Sequence, residues 1–331
     1  MPASLFSASE KAPTGWRGIP QRSWWPWLKR GLTTAFFALV AWLLLRQARL
    51  VDWPGVLSAL RELPTGVLLA AGALALLSHG VYGTFDLIGR HCTDHRLSRV
   101  TTLGIAMTSY PFTLTLGSLI GGVGVRYRLY SRRGLQAGTI GQVVATSIVT
   151  NWLGYLALAG VLAWMWQPPA LAGWRAEAWQ WRAGGTLLGM LPLAYVWFCA
   201  GCERQALNWR GHTFPLPPWP VALWQVFVSA GNWMLMGAAL WVILQGQVGY
   251  PAALSAVLIG AVAGLVLRVP AGLGVLEAVG VALLARPPLD SVQVLAALLA
   301  YRALYYFLPL TLAAGAFGVA ELRSRRNESG G

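Results

Sequence analysis

The chain has 331 residues, of which 56% are hydrophobic and only 11% are charged. Soluble domains carry about 25% charged residues and disordered chains are poor in apolar and aromatic residues, so both classes are excluded. The net charge of +14 comes from 25 Lys and Arg against 11 Asp and Glu. These basic residues lie mainly in short loops between apolar runs, which indicates a polytopic membrane protein rather than a nucleic-acid-binding one.

Residues 1–30 are basic and rich in tryptophan, and we predict that they form a cytoplasmic tail. No cleavable signal peptide is expected, because the apolar run that follows is long and lacks a clear small-residue cleavage site. Six apolar runs are long enough to span a membrane. They lie at about 31–50, 66–88, 139–166, 184–200, 220–245 and 293–320.

Shorter segments connect these runs. Residues 52–62 predict a short amphipathic helix at the membrane surface. Tryptophans between the third and fourth runs indicate an interfacial segment, and residues 201–219 predict a proline-rich loop. We therefore expect a single transmembrane domain at 31–320, followed by a second cytoplasmic tail at 321–331.

Two further apolar regions are interrupted by glycine and proline. The region 101–125 is predicted to break at Pro111 and at several glycines, and the region 251–285 at residues 268–274. If both regions crossed the membrane fully, the arginine-rich segment 126–138 would face outward, against the positive-inside tendency. If both are re-entrant, most of the 25 Lys and Arg face the cytoplasm. We therefore predict an all-α polytopic fold with about six full spans, two re-entrant helical hairpins and both termini in the cytoplasm.

The two breaks share a local pattern. Gly122 and Gly124 precede Arg126, and Gly272 and Gly274 precede Glu277. The first hairpin is expected to enter from the cytoplasm and the second from outside, so the similarity predicts an inverted repeat of the kind found in secondary transporters. Helices broken at membrane depth can aim free amide groups into a cavity, where they can hold an anion.

Hinges are expected at these breaks, where the glycines permit close backbone approach. Pro270 lies just before the second glycine pair. Its ring fixes the backbone torsion φ, so we expect it to fix the position of the second break.

Ionisable side chains at membrane depth are the strongest functional signal, since each costs about 2.5–3.5 kcal/mol at mid-bilayer. The candidates are Asp86, Arg126, Arg128, Arg268, Glu277 and Arg302, of which Arg128 is favoured as an orientation charge. One interpretation is a cavity for an anionic lipid headgroup, because the planar guanidinium can donate two parallel hydrogen bonds to phosphate. The other interpretation is structural pairing, for example of Glu277 with Arg302 or of Asp86 with Arg126.

Two tyrosines, Tyr301 and Tyr305, are four residues apart and therefore share one helical face beside Arg302. They either line a lipid site or pack helices together. Asn151 and Asn232 are expected to join helices through their amides. No ATP-binding, dinucleotide-binding, metal-binding or nucleophile motif is present in the sequence, so we expect no cofactor, no metal and no enzymatic activity.

Four segments resemble the lysylphosphatidylglycerol synthetase transmembrane-region family. They are Gly121–Leu135, Thr150–Tyr155, Val269–Ala278 and Leu299–Phe307. The resemblance extends over about 31–320 and implies the lipid-handling half of these proteins, which is regarded as a flippase for aminoacylated phosphatidylglycerol. It does not imply the aminoacyl-transferase half, which we expect to be absent. Its site residues transfer to Arg126, Glu277 and the nearby glycines and proline, and less directly to Arg302 and Asp86.

The resulting functional hypothesis is a bacterial inner-membrane flippase for an anionic phospholipid such as phosphatidylglycerol or cardiolipin. In this hypothesis Arg126, with Arg302, neutralises the phosphate, while Glu277 holds the arginines or meets a cationic headgroup. Asp86 and Glu277 are the expected proton carriers if transport is coupled to an ion. The alternative is a membrane scaffold that recruits a phospholipid synthase or another envelope protein. No nucleic-acid partner is expected.

Overall fold

The computed structural model describes residues 53–117, 122–168, 177–201, 206–209 and 212–315. Within these ranges the fold is helical, as predicted, with one small β-hairpin. The helices are α1 (Trp53–Arg61), α2 (Thr65–Thr93), α3 (Arg99–Gly117), α4 (Val125–Ser131), α5 (Ala137–Met165), α6 (Ala178–Gly201), α7 (Trp219–Ile243), α8 (Tyr250–Val266), α9 (Val275–Leu284) and α10 (Ser291–Arg302).

Five of the six predicted membrane spans are confirmed. The helices that are long and apolar enough to cross a membrane are α2, α5, α6, α7 and a helix over Ser291–Gly315. The last of these begins as α10 and continues through a π-helical segment at Ala303–Phe307. The predicted first span, 31–50, and both predicted tails lie outside the described residues. The chain is therefore a polytopic helical membrane protein.

The surface of α5 and α6 explains why a membrane is needed. Large apolar side chains such as Val161, Trp164, Leu187, Met190 and Trp197 are more than half exposed. An exposed apolar face of this kind is unfavourable in water, but lipid tails cover it in a bilayer. On α5 the polar side chains of Ser147 and Thr150 are buried instead, and Thr150 accepts a hydrogen bond from Gln225 of α7.

The bundle is organised around α2, which packs against α3, α5 and α7. A large apolar core joins α7, α8, α9 and α10, and it also includes Ala71 and Ala75 of α2. The amphipathic helix α1, predicted for 52–62, is present, and it buries Val56 while most of its other side chains remain exposed or half-buried. It packs against α10.

The second broken region has the predicted interruption. α8 ends at Val266 and α9 begins at Val275, and between them Arg268, Ala271 and Gly272 have positive φ. At 1.5 Å per residue, the ten residues of α9 extend only about 15 Å, half the hydrocarbon core of about 30 Å. This geometry is compatible with a hairpin that enters and returns on one side, which remains a prediction.

The expected break at Pro111 is wrong. α3 continues through Pro111 and ends at Gly117, whose φ of +83° is left-handed. Proline removes one helical hydrogen bond, but helices in membranes tolerate this loss because Ser and Thr side chains and neighbouring helices can satisfy the freed backbone groups. Here α3 packs against α2, and Pro111 is buried. Beyond Gly117 the backbone is described again from Gly122, in a π-helical turn that leads into α4.

The proline-rich segment predicted as a loop contains the hairpin. Strands β1 (Ala206–Trp209) and β2 (His212–Pro215) pair antiparallel, with Ala206 opposite Pro215. α6 also begins at Ala178, several residues before the predicted start of its span, so Trp179 and Trp181 belong to its first turns.

Candidate functional site

The first ion pair joins α2 to the start of α4. Arg126 Nε donates to Asp86 Oδ2 at 3.1 Å, and the two side chains are 2% and 0% exposed. The hydroxyl of Tyr130, one helical turn further along α4, donates to the same oxygen at 2.9 Å. Arg126, the second residue of α4, is buried beside α2, where a charged side chain needs a partner.

This first pair has one incomplete side. Asp86 Oδ1 is buried and has no hydrogen-bond partner among the described residues. On the other side, Arg126 Nη2 lies 3.5 Å from Ser147 Oγ, and its guanidinium lies 5.6 Å from the centre of the Tyr82 ring. A buried carboxylate oxygen without a donor is costly, so this position suits a hydrogen-bond donor from a ligand.

The second ion pair lies at the second break. Arg302 on α10 donates from Nε and Nη2 to the two oxygens of Glu277, near the start of α9. Its Nη1 also donates to the Ala271 carbonyl at 2.8 Å, and its Nη2 to the Gly272 carbonyl at 2.6 Å. Arg302 therefore satisfies backbone groups that the broken helix leaves without helical partners.

A continuous line of aromatic rings connects the two arginines. Tyr82, beside Arg126, stacks on Tyr110 with ring centres 3.5 Å apart. The hydroxyl of Tyr110 lies 3.4 Å from that of Tyr305, and the Tyr305 ring lies 5.8 Å from that of Tyr306. The guanidinium of Arg302 then lies 5.2 Å from the Tyr306 ring centre.

Polar side chains of α2 and α7 complete this line, which we call the tyrosine bridge (Tyr82, Tyr110, Tyr305 and Tyr306). Ser78 Oγ lies 2.6 Å from the Tyr305 hydroxyl and donates to Asn232 Oδ1 at 2.8 Å. The imidazole of His79 packs between Tyr110 and Tyr305, with ring centres 4.8 and 5.0 Å away. Asn232 Nδ2 and His79 Nε2 are buried without a partner among the described residues.

Comparison with known proteins identifies the family. The model for the lysylphosphatidylglycerol synthase TM region matches residues 32–313. This chain belongs to that family. It is 39% identical to the inner membrane protein YbhN of Escherichia coli strain K12 over 302 residues, which is 91% of this chain and 95% of that protein. It is also 31% identical to the uncharacterized protein slr0712 of Synechocystis sp. over 287 residues, 84% of this chain and 88% of that one.

Membership of the lysylphosphatidylglycerol synthase TM region family agrees with the resemblance seen in the four sequence segments. The similarity to an inner membrane protein, together with five helices suited to cross a bilayer, supports a multi-pass location in the inner membrane. The orientation of the termini stays a prediction.

The structure places most of the predicted site residues in contact. Their contacts are the ion pairs that were predicted as the alternative to a cavity for a lipid headgroup. Asp86 pairs with Arg126, and Glu277 pairs with Arg302. Tyr301 and Tyr305 stack on one face of the last span with ring centres 5.3 Å apart. A role of these residues in lipid binding stays a prediction. Asn232 does join helices, since it bonds Ser78.

The remaining candidates differ in their surroundings. Arg268 is exposed in the turn after α8, with φ of +53°, and is not part of the tyrosine bridge. Gly272 and Gly274 have φ of +55° and +76°, and Pro270 begins the short turn that contains Gly272. In the first break, a Cβ on Gly122 would lie 3.2 Å from the Thr113 side chain, whereas Gly124 has ordinary helical φ.

Sequence reasoning did not find several members of the site. Ser78, His79, Tyr82, Tyr110 and Ser147 were not singled out, although all are buried. A signal was present, because Ser78, Tyr82 and Asp86 recur every four residues along a span and therefore share one helical face. A polar stripe of that spacing in a membrane helix indicates an inward-facing polar surface.

Proposed function

We propose that this protein moves an anionic phospholipid between the leaflets of the inner membrane. The observation that carries the proposal is the tyrosine bridge, which links two buried ion pairs, one at each helix break, through the interior of the bundle. Polar groups inside a membrane are costly and are usually retained for a ligand pathway. Membership of the lysylphosphatidylglycerol synthase TM region family supports a phospholipid as the ligand.

The first ion pair is the proposed headgroup site. Arg126 would donate to the phosphate, since a guanidinium is a strong partner for phosphate oxygens. The unpartnered Asp86 Oδ1 would accept a hydrogen bond from a headgroup hydroxyl or ammonium. The two residues thus offer an acceptor and a donor side by side, which matches a headgroup that carries both a phosphate and a hydrogen-bond donor.

The second ion pair is assigned a positioning role. Arg302 already makes four hydrogen bonds, two to Glu277 and two to the backbone carbonyls of Ala271 and Gly272. These bonds hold the second break in one conformation, with Glu277 fixing the direction of the guanidinium. Loss or exchange of these bonds would free the glycine-containing turn, so this pair is the proposed control point of the hinge.

The test is lipid movement in liposomes that contain the purified protein. Fluorescent phosphatidylglycerol is added to both leaflets, and a membrane-impermeant reductant bleaches only outer lipid, so movement appears as loss of the protected signal. Arg126→Gln should slow movement at least about tenfold, the equivalent of one charge-assisted hydrogen bond of roughly 1.5–3 kcal/mol. Arg133→Gln is the matched control, since Arg133 is exposed just after α4, and it should move lipid at the wild-type rate.

Two results would overturn the proposal. One is an unchanged rate in an Arg126→Gln variant that elutes as a folded protein. The other is the absence of movement of any phospholipid by the wild-type protein, both with and without a proton gradient. The second result would favour the scaffold hypothesis, in which the chain recruits another membrane protein and does not transport lipid itself.

A further inference from the structure

A cleft separate from the ion pairs opens between α5, α6 and α8. Its volume is about 560 Å³, and its walls are almost entirely apolar. The residues that line it include Tyr155, Leu162, Trp166, Trp181, Leu188 and Leu258. Gly184 and Gly185 of α6 complete one wall.

Close helix contacts fix the shape of this cleft. α5 and α6 meet at glycines, since a Cβ on Gly160 would lie 2.8 Å from the Gly189 Cα, and one on Gly185 would lie 2.3 Å from the Ala163 Cβ. Small residues permit this close approach in membranes. On the other side, the Tyr155 hydroxyl donates to the Leu258 carbonyl of α8 at 3.2 Å. The cleft therefore lies between α6 and α8, each of which is joined to α5 by a close contact.

A second, polar cavity adjoins the cleft at Trp166, which lines both. Its volume is about 280 Å³, and its polar side chains are Gln167, Gln247 and Arg286. It lies where α5 ends, where the turn between α7 and α8 passes, and just beyond the end of α9. Among the described residues that line it, Arg286 is the one with a charged side chain.

The dimensions of the two cavities match half of a bilayer. From Tyr155 to Trp166 the cleft follows α5 for eleven residues, or about 16 Å at 1.5 Å per residue. The hydrocarbon core is about 30 Å thick, so this length is about the depth of one leaflet. A cationic polar cavity at the helix ends, next to an apolar cleft of this depth, matches the polarity of a single lipid molecule.

We propose that the two cavities together bind one phospholipid, with an acyl chain in the apolar cleft and the phosphate against Arg286. By the predicted orientation, this site lies in the outer half of the membrane. The inference deepens the proposed function, because it names where the lipid is held before or after movement, at a distance from the Arg126 site. It concerns binding alone, so it can fail while transport is observed, and transport can fail while binding is observed.

The test is photocrosslinking of the purified protein in nanodiscs that contain phosphatidylglycerol with a diazirine in one acyl chain. Labelled peptides, identified by mass spectrometry, should concentrate in residues 155–166, 181–188 and 255–259. Arg286→Gln should lower labelling of these segments about fivefold, and Arg61→Gln, an exposed arginine at the end of α1, should leave it unchanged.

A second variant fills the apolar cleft. Gly184 lines the cleft and has no atom within 4 Å of an added Cβ, so Gly184→Leu should enter the space without disturbing the contact between α5 and α6. It should abolish the labelling, while Gly184→Ala, the control for the backbone effect of losing glycine, should retain most of it. Labelling is compared only after both variants are shown to match the wild-type protein in melting temperature and monodispersity.

Three results would overturn the inference. Labelling spread evenly over all lipid-facing helices would mean that no specific site exists. Unchanged labelling in Gly184→Leu would show that the acyl chain does not occupy the cleft. Unchanged labelling in Arg286→Gln would remove the assignment of the phosphate to the polar cavity.

Discussion

The hydroxyl of Tyr305 lies 2.6 Å from the hydroxyl of Ser78. This contact joins the last span to α2 across 227 positions of the chain, and both groups are fully buried. Ser78 also donates to Asn232 Oδ1, so one small side chain connects α2, α7 and the last span. In a bilayer, where apolar contact with a helix is no better than contact with lipid, such hydrogen bonds help to determine which helices associate.

We expect Tyr305→Phe and Ser78→Ala each to destabilise the protein by about 0.5–1.5 kcal/mol, the usual contribution of one hydrogen bond. The double variant should lose less than the sum of the two, with a coupling energy of about 0.6 kcal/mol, typical of hydrogen bonds between membrane helices. The measurement is unfolding in mixed micelles at increasing denaturing detergent. Additive losses would show that the two hydroxyls do not interact.

The pair of Arg302 and Glu277 should show a larger and asymmetric effect. Removing one partner of a buried ion pair costs about 3–5 kcal/mol, because the remaining charge is left without compensation. Arg302→Gln should cost more than Glu277→Gln, since Arg302 also serves the carbonyls of Ala271 and Gly272. The free energy of unfolding in mixed micelles measures this order. An equal loss in both variants would mean that the two carbonyl bonds contribute little.

The spans could be predicted from sequence because a membrane helix needs about 20 apolar residues, whatever its neighbours are. The break at 268–274 could also be predicted, since glycine is the residue that adopts positive φ without strain. Pro111 misled the prediction because the effect of a proline depends on packing against neighbouring helices, here including the contact of α3 with α2, and such contacts are tertiary. The four-residue strands β1 and β2 have no strong alternation of apolar and polar residues, so the sequence pattern did not predict this hairpin.

The charged residues of the site could be predicted because each one is unusual at membrane depth. Their two pairings could be stated only as an alternative, because sequence spacing does not show which helices are neighbours. The tyrosine bridge was missed for a different reason. The spacing of Tyr82 marks it as inward-facing, but the sequence does not show that its ring stacks on Tyr110, with centres 3.5 Å apart, and lies beside Arg126.

Contact between α5 and α7 depends on one glycine. A Cβ on Gly154 would lie 2.2 Å from the Ala230 backbone nitrogen and 2.4 Å from the Ser229 carbonyl carbon. Because the obstructing atoms are backbone, the helices must move apart, and Gly154→Ala should destabilise the protein by about 1–3 kcal/mol.

The control for this variant is Gly141→Ala on the same helix, where an added Cβ meets no atom within 4 Å. It should be neutral or stabilising by up to about 1 kcal/mol, because alanine favours helix more than glycine does. The two variants are compared by their apparent melting temperatures, which are measured by size-exclusion chromatography after heating. A similar change in both would mean that the contact between α5 and α7 is not tight at Gly154.

The loop after α2 should make stability depend on pH. His95 is buried there, against the edge of the Tyr130 ring, and burial, with a smaller contribution from Arg90, lowers its pKa below the usual value. The unfolded chain therefore binds a proton at this residue at a higher pH than the folded protein does. Stability should be greatest above the ordinary histidine pKa of about 6.5 and should fall as the pH decreases below it.

His95→Gln should reduce this fall between about pH 7.5 and pH 5.5. His91→Gln, at an exposed position on the last turn of α2, should leave the fall unchanged. The measurement is the melting temperature of each variant across this pH range. If the melting temperature of His95→Gln falls as much as that of the wild-type protein, another group causes the pH dependence.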